Sequence, residues 1–265
     1  NTTANKARRQ FGWTEDQKSF ILGDSEYMGN RKIVNHPSSA TQQFFPAFMP
    51  KGSLEGWKEM IDFYNRDGLE MHQFVVCSSF GAPLMEFMPN ISAAGLHLFN
   101  KESGLGKTTA MLAGCTIWGN PKALVLGAKD TKNFHMNRAE IYKNLPLWLD
   151  EVTNSEPKQL SDWAYELTGS DGLQRGRMGG SSNAERVRGQ PWAFLSVSTG
   201  NTSVIERISL FKEMPKAEAQ RILEYRVERY NFKNAIETDK FNEDITNNYG
   251  FAGPVFMQYV MQNRK

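Results

Sequence analysis

A chain of 265 residues can bury one sizeable core, or one core with a small satellite, and its 40% hydrophobic and 23% charged content is ordinary for a globular protein. No apolar run approaches the roughly 18 residues of a membrane span, so a membrane partner is not expected. The formal net charge of +2 is too small to argue for nucleic acid on its own, and any basic surface has to be local.

The first residues, NTTANKARRQ, carry neither a hydrophobic signal core nor an initiator methionine, and read as the start of a fragment with neighbouring domains. Residues 11–34 alternate imperfectly around a polar middle and predict an antiparallel pair. The prolines of 36–52, HPSSATQQFFPAFMPKG, predict a loop. Ser53 is a candidate cap for a helix to about Asn65, with Trp57, Met60, Ile61 and Tyr64 on one face. Leu69 to Met88 reads as a buried helix. The apolar run GLHLF (95–99) leads into a glycine-rich turn, followed by a helix, TTAMLAGCTIW, that GNP ends at 119–121. ALVLGA (123–128) predicts a buried strand, a polar helical stretch runs to about Asn144, and LPLWL (145–149) and WAFLSVS (192–198) predict two more strands. Residues 217–232 are helix-like and then strand-like, a candidate fifth strand. Short apolar strands alternating with helices predict a parallel sheet covered on both faces. Cys77 and Cys115 lack metal-ligand spacing and read as buried free thiols, which fit a reducing, cytoplasmic setting. The four histidines are scattered and support no site.

The turn KESGLGKTT carries the chemistry. Small residues let consecutive backbone N–H groups face phosphate oxygens at the positive end of a helix; a lysine adds charge, and the next hydroxyl ligates Mg²⁺. Ser103, Gly104, Leu105, Gly106, Lys107, Thr108 and Thr109 supply the late half of that device between a strand and a helix. Lys101 stands where the motif has its first glycine. Strand 145–149 ends in Asp150 and Glu151, an acid to hold the metal and a base to orient water. The strand in FLSVSTGN (194–201) ends in polar groups, and Thr199 or Asn201 can meet the attacking water or the outer phosphate. Loop, acid pair and polar strand end, in this order, point to Mg-ATP hydrolysis. Between them, residues 169–189 carry Arg175, Arg177, Arg186 and Arg188 among glycines and serines. This segment reads either as a hairpin contacting a DNA backbone, as the source of an arginine that completes a neighbouring subunit's ATP site, or as a solvated loop. Arg221 and Arg226 are alternative sources of that arginine.

These motifs together resemble the ATPase module of phage and mobile-element primase–helicase proteins, a family long catalogued as a domain of unknown function. The resemblance rests on KESGLGKTT, AMLAGCTIWGNP, LPLWLDE, AYELTGSDGLQRGR, WAFLSVSTGN and YGFAGPVFMQYV, with GSLEGWKEMI and FGAPLMEFM upstream. It covers most of the chain and is weakest over residues 1–50. Lys101 and Asn201 depart from the family pattern, where a glycine and commonly an acid stand. The resemblance implies an AAA+-like P-loop core, a hexameric ring with ATP between subunits, and DNA unwinding in phage or plasmid replication, in the host cytoplasm if the source is viral. A fused or associated primase or polymerase domain is a further implied partner. The expected organisation is a small N-terminal α+β region over 1–90, the ATPase core over 91–232 and a C-terminal helical segment over 233–265. Within it Lys107 would meet the β/γ-phosphates, Thr108 and Asp150 the metal, Glu151 the water, Asn201 or Thr199 the outer phosphate, and Arg177 or Arg226 a neighbour's site. An ATP-dependent assembly or loading factor without unwinding, and a scaffold that no longer hydrolyses, are the rival readings.

Overall fold

The computed structural model describes residues 8–89, 91, 93–127, 130–168, 191–232 and 235–264, with side chains of 166–168 excepted. The described residues form two sheets with helices packed around them. The first is an antiparallel meander of four short strands, β1 (Gly12–Trp13), β2 (Phe20–Leu22), β3 (Ser25–Met28) and β4 (Arg31–Val34). Residues 11–34 therefore make a larger sheet than the predicted pair. Its two tight hairpins turn at Gly23–Asp24 and Gly29–Asn30, each led by a glycine at positive φ, the geometry such two-residue turns require.

The segment 36–52 is not simply a loop. It holds α1 (Ser39–Gln42) and α2 (Phe45–Phe48). Ser38 caps the first, and Pro46 sits in the first turn of the second, where its missing N–H costs nothing. α3 (Leu54–Ile61) begins at Ser53, whose hydroxyl accepts from the Gly56 amide at 2.9 Å, and a 3-10 turn continues it to Tyr64. Trp57, Met60 and Tyr64 are buried. α4 (Glu70–Gly81) passes into a 3-10 segment, Ala82–Phe87, at Pro83.

The second sheet is parallel. Its strands are β5 (Ala93–Phe99), β6 (Leu126–Gly127), β7 (Leu147–Asp150), β8 (Phe194–Gly200) and β9 (Ile222–Arg226), in the order β6-β7-β8-β5-β9. Between them run α5 (Lys107–Cys115), α6 (Pro121–Leu124), α7 (Lys132–Tyr142), α8 (Pro157–Thr168), α9 (Val204–Ser209) and α10 (Lys216–Ala219). The run 123–128 departs from its predicted strand: Asn120 caps a helical turn led by Pro121, and only Leu126 and Gly127 pair. The strand-like end of 217–232 does form the fifth strand, beside β5. After it come α11 (Ala235–Ile245) and α12 (Ala252–Asn263). No helix among the described residues is long and apolar enough to cross a membrane.

One aromatic cluster ties the antiparallel sheet to the helices of the parallel one. Phe11 meets Phe48 at 4.8 Å between ring centroids and Tyr142 at 6.3 Å; Phe20 meets Trp118 at 5.9 Å. Trp13 is edge-on to Phe20 and Phe87 and donates its indole N–H to the Pro83 carbonyl at 3.0 Å. Of the two cysteines, Cys115 is buried as expected, whereas Cys77 is exposed, because its position on α4 faces away from α5 and the core.

Candidate active site

The sheet order places the site. After β5 the chain crosses to the far edge, returns strand by strand to β8 beside β5, and then adds β9 on β5's other side. In open parallel sheets such a reversal leaves a crevice beyond the carboxyl ends of the strands. The loop after β5, Asp150 at the end of β7 and Thr199–Asn201 at the end of β8 all lie there.

The loop is held by its own polar groups. Asn100 donates Nδ2–H to the Val227 carbonyl at 2.8 Å and accepts the Glu102 amide at 2.9 Å. Glu102 also pairs with Arg229 at 2.9 Å. Gly104 and Gly106 have φ of +73° and +84°, left-handed conformations that favour glycine. Among the described non-glycine residues only Gln17, Lys143 and Glu151 have positive φ, so Lys101 needs no glycine-like backbone. The departure from the motif at that position is thus compatible with the turn. Ser103 and Gly104 are exposed, whereas Leu105 is buried and offers the mouth of the loop only its backbone.

α5 starts at Lys107, with the N-terminal positive end of a nine-residue helix at the loop. Lys107 Nζ is buried and donates to the carbonyls of Asn100 at 2.9 Å and Glu102 at 2.8 Å. Burial lowers its pKa from the usual lysine value, while Glu151 and Asp150 pull it the other way. Thr108 donates Oγ1–H to Asp150 Oδ1 at 3.1 Å, joining the helix start to the acid strand. Thr199 donates to the same carboxylate oxygen and accepts the Glu151 amide at 3.2 Å. Glu151 has φ 57° and ψ 35°, a left-handed conformation that costs a non-glycine residue about 1 kcal/mol or more and is concentrated at functional sites. Its Oε2 accepts from Asn201 Nδ2 at 3.1 Å and Asn154 Nδ2 at 3.3 Å.

Lys107, Thr108, Asp150, Glu151, Thr199 and Asn201 are therefore brought together from three strand ends. Thr109 turns away, its hydroxyl 3.5 Å from Asn242 on α11. Arg226 lies on the edge strand with two-thirds of its side chain exposed, 3.8 Å from Glu228. Arg221 stacks over Tyr165 and donates to the Ala217 carbonyl. Arg175, Arg177, Arg186 and Arg188 lie outside the described residues.

Several supporting residues escape a reading of the sequence alone. Thr153 accepts the Asn201 amide at 3.1 Å. His72, buried beneath the loop, has its Nε2 3.2 Å from where a Cβ on Gly106 would lie. His97, in the middle of β5, joins Ser198 at 2.9 Å and the Thr202 carbonyl at 3.0 Å. The carbonyl can only accept, so Nε2 carries the proton and Ser198 donates to Nδ1. Burial pushes the His97 pKa down to about 4, with the Thr202 bond opposing. A lone histidine inside the apolar run GLHLF was the available signal.

The sequence profile of the family described as Domain of unknown function (DUF927) matches residues 2–187. No curated protein matches. Among solved structures, the chain is similar to one described as SCCmec type IV Cch, active helicase, with a TM-score of 0.70 and 18% identity over 96% of this chain and 46% of that one. The apo A form of the NrS-1 C-terminal region aligns at a TM-score of 0.41 and 10% identity, over 93% of this chain and 55% of that one. The chain thus spans about half the length of these proteins, and what it has in common with the first is a fold.

Proposed function

The chain belongs to the DUF927 family, and from the residues gathered at its strand ends we propose that it is a Mg-ATP-hydrolysing module of a DNA translocase or helicase. The observation that carries this reading is the 3.1 Å hydrogen bond from Thr108 to Asp150, which joins the first turn of the loop helix to the acidic strand end. That pair offers the hard oxygens that suit Mg²⁺. When bound, the metal supplies positive charge to the phosphate oxygens. The donor set fits: two left-handed glycines, a helix N-terminus, a lysine and two metal-suited oxygens face one crevice.

Lys107 would exchange the Asn100 and Glu102 carbonyls, its present acceptors, for outer phosphate oxygens. Charged acceptors make stronger hydrogen bonds than backbone carbonyls, so the exchange is favourable. Glu151 would orient and deprotonate the attacking water, and Asn201, already on its carboxylate, would sense the outer phosphate. Thr199 bridges the two acids and is better placed to fix them than to meet the phosphate. Arg226, exposed on an edge strand, is available to a neighbouring subunit's site in a ring. The similarity in fold to a protein described as an active helicase supports assigning this hydrolysis to movement on DNA.

The test is ATP hydrolysis with Mg²⁺, with and without single-stranded DNA, beside Lys107→Ala. Turnover that rises with DNA and disappears in the variant supports the reading. Turnover indifferent to DNA, with no directional strand displacement, would favour an assembly or loading factor. Absence of ATP binding by the parent chain would remove the proposal.

A further inference from the structure

His72, Val75 and Ser79 share one buried face of α4, and that face lies along α5. Two glycines let the helices approach. A Cβ at Gly114 would come within 2.5 Å of Ser79 Oγ, and a Cβ at Gly106 within 3.2 Å of His72 Nε2. Each pair of positions is about two turns apart on its own helix, so the two helices run in the same direction. The packing of α4 thus carries the His72 ring to the underside of the glycine-rich loop, where α5 begins. There it is only 6% exposed.

What the ring meets there is a peptide carbonyl. At the Gly106 φ of +84° a Cβ would lie beside the carbonyl oxygen of the preceding residue, so Nε2, next to that position, is next to the Leu105 oxygen. Burial lowers the His72 pKa, and a bond to the Leu105 backbone opposes the fall, the sign of an imidazole that donates to a carbonyl. His72 Nδ1 has no partner among the described residues, so Nε2 carries both the bond and the proton. The first backbone bond of α5 runs from the Ala110 amide to the Gly106 carbonyl at 2.8 Å, which leaves the Leu105 carbonyl one residue outside the helical ladder. An apolar side chain of similar size would avoid the buried, unpaired Nδ1 and its cost. It would not supply the Nε2 donor.

A trans peptide unit points its carbonyl and its N–H in opposite directions, and the peptide units described here are trans. With the Leu105 carbonyl turned in toward His72, the Gly106 N–H is turned out toward the crevice, and it makes no backbone hydrogen bond among the described residues. The rest of the loop is held elsewhere or not at all: Asn100 ties down its start, and no atom lies within 4 Å of a Cβ at Gly104. We propose that His72 is a positioning residue for phosphate binding, which holds the Leu105–Gly106 peptide so that the Gly106 amide already faces a phosphate oxygen before nucleotide arrives. The proposal rests on the phosphate-binding reading of the loop and names the group that keeps it preorganised. A peptide left to turn over at a glycine would present the Leu105 oxygen instead, which repels a phosphate. Donors fixed in advance bind without that reorganisation.

The experiment measures binding of Mg-ATP and of inorganic pyrophosphate, together with ATP turnover, in the parent, His72→Gln, His72→Leu and His72→Met. Gln keeps an N–H within reach of the Leu105 carbonyl. Leu and Met fill the space without a donor, and having both covers the case in which one fails to fold. The apolar variants should weaken both ligands by about 10-fold, the worth of one amide bond to a charged oxygen. KM for ATP should rise by a similar factor with kcat held within about 2-fold, because the amide meets the phosphate in ground and transition states alike. His72→Gln should recover most of the loss. Weaker pyrophosphate binding in the apolar variants of a parent that does not turn over ATP would support the role of His72 while removing the hydrolysis reading. Turnover that Lys107→Ala abolishes but the apolar variants leave unchanged in KM would do the opposite, keeping hydrolysis and overturning the proposal. Equal weakening in Gln, Leu and Met would overturn it in favour of ring packing, and a parent that binds neither ligand would overturn it outright.

Discussion

The two sheets each hold a glutamate in a polar network, and the networks differ in one respect. In the antiparallel sheet Glu26 is closed on every side: Arg8 donates to it through two nitrogens at 2.8–3.2 Å, and Ser19 donates at 2.5 Å. In the parallel sheet Glu151 is held by two side-chain amides, and Lys107 by two backbone carbonyls of its own loop. Charge meets charge in the first network. In the second, cation and acids sit close by but are bonded to neutral groups that a charged ligand can displace. The first arrangement serves stability; the second leaves the charges available.

The same substitution tried on both glutamates is the sharpest way to break this contrast. Glu151→Gln should cut ATP turnover by about 10²- to 10⁴-fold while nucleotide still binds and the thermal midpoint barely moves. Unchanged turnover would remove Glu151 from the base role. Glu26→Gln should do the reverse, costing about 3 kcal/mol in denaturant unfolding, since it leaves the Arg8 charge poorly matched, with turnover per folded molecule preserved.

A pH titration probes the parallel sheet's interior. The folded His97 pKa of about 4 lies below the unfolded value of 6.5, so the unfolded chain binds the extra proton first. The His97 contribution is complete above about pH 6.5 and is lost as pH falls toward 4, by up to about 3 kcal/mol. His97→Gln should flatten that part of the stability curve. A curve of equal slope would mean that other groups set it. The smallest effect is expected at Gly104, where no atom would obstruct a Cβ but φ is +73°. Gly104→Ala should cost about 1 kcal/mol, measured by thermal unfolding.

How much of this was legible in the sequence follows the same division. The three central strands of the parallel sheet are buried on both sides and appear as largely apolar runs, so GLHLF, LPLWL and WAFLSVS located β5, β7 and β8. The antiparallel strands have two to four residues, too few for alternation to register, and only the glycine-led dipeptides at 23–24 and 29–30 marked the two further hairpins. Proline misled at 46, where it sits in the first turn of a helix, and the apolar run 123–128 misled because Ala123 and Leu124 belong to the helical turn that Pro121 opens. Residues with chemistry at a strand end could be named from their order in the chain. Thr153 and His72 could not, because each depends on which elements the fold brings into contact.

The placement of β5 also bears on the order in which the molecule can be made. Its partner on one side, β8, contributes Ser198, 101 residues from His97; on the other side Val227, 127 residues from Asn100, receives the bond that anchors the loop. Contacts so distant along the chain form late and slowly. On refolding from denaturant, helical signal should therefore return before nucleotide binding does. A nascent chain that has not yet produced β9 lacks the fastening for Asn100, so the glycine-rich loop after β5 takes its shape only once the last strand of the sheet has been made.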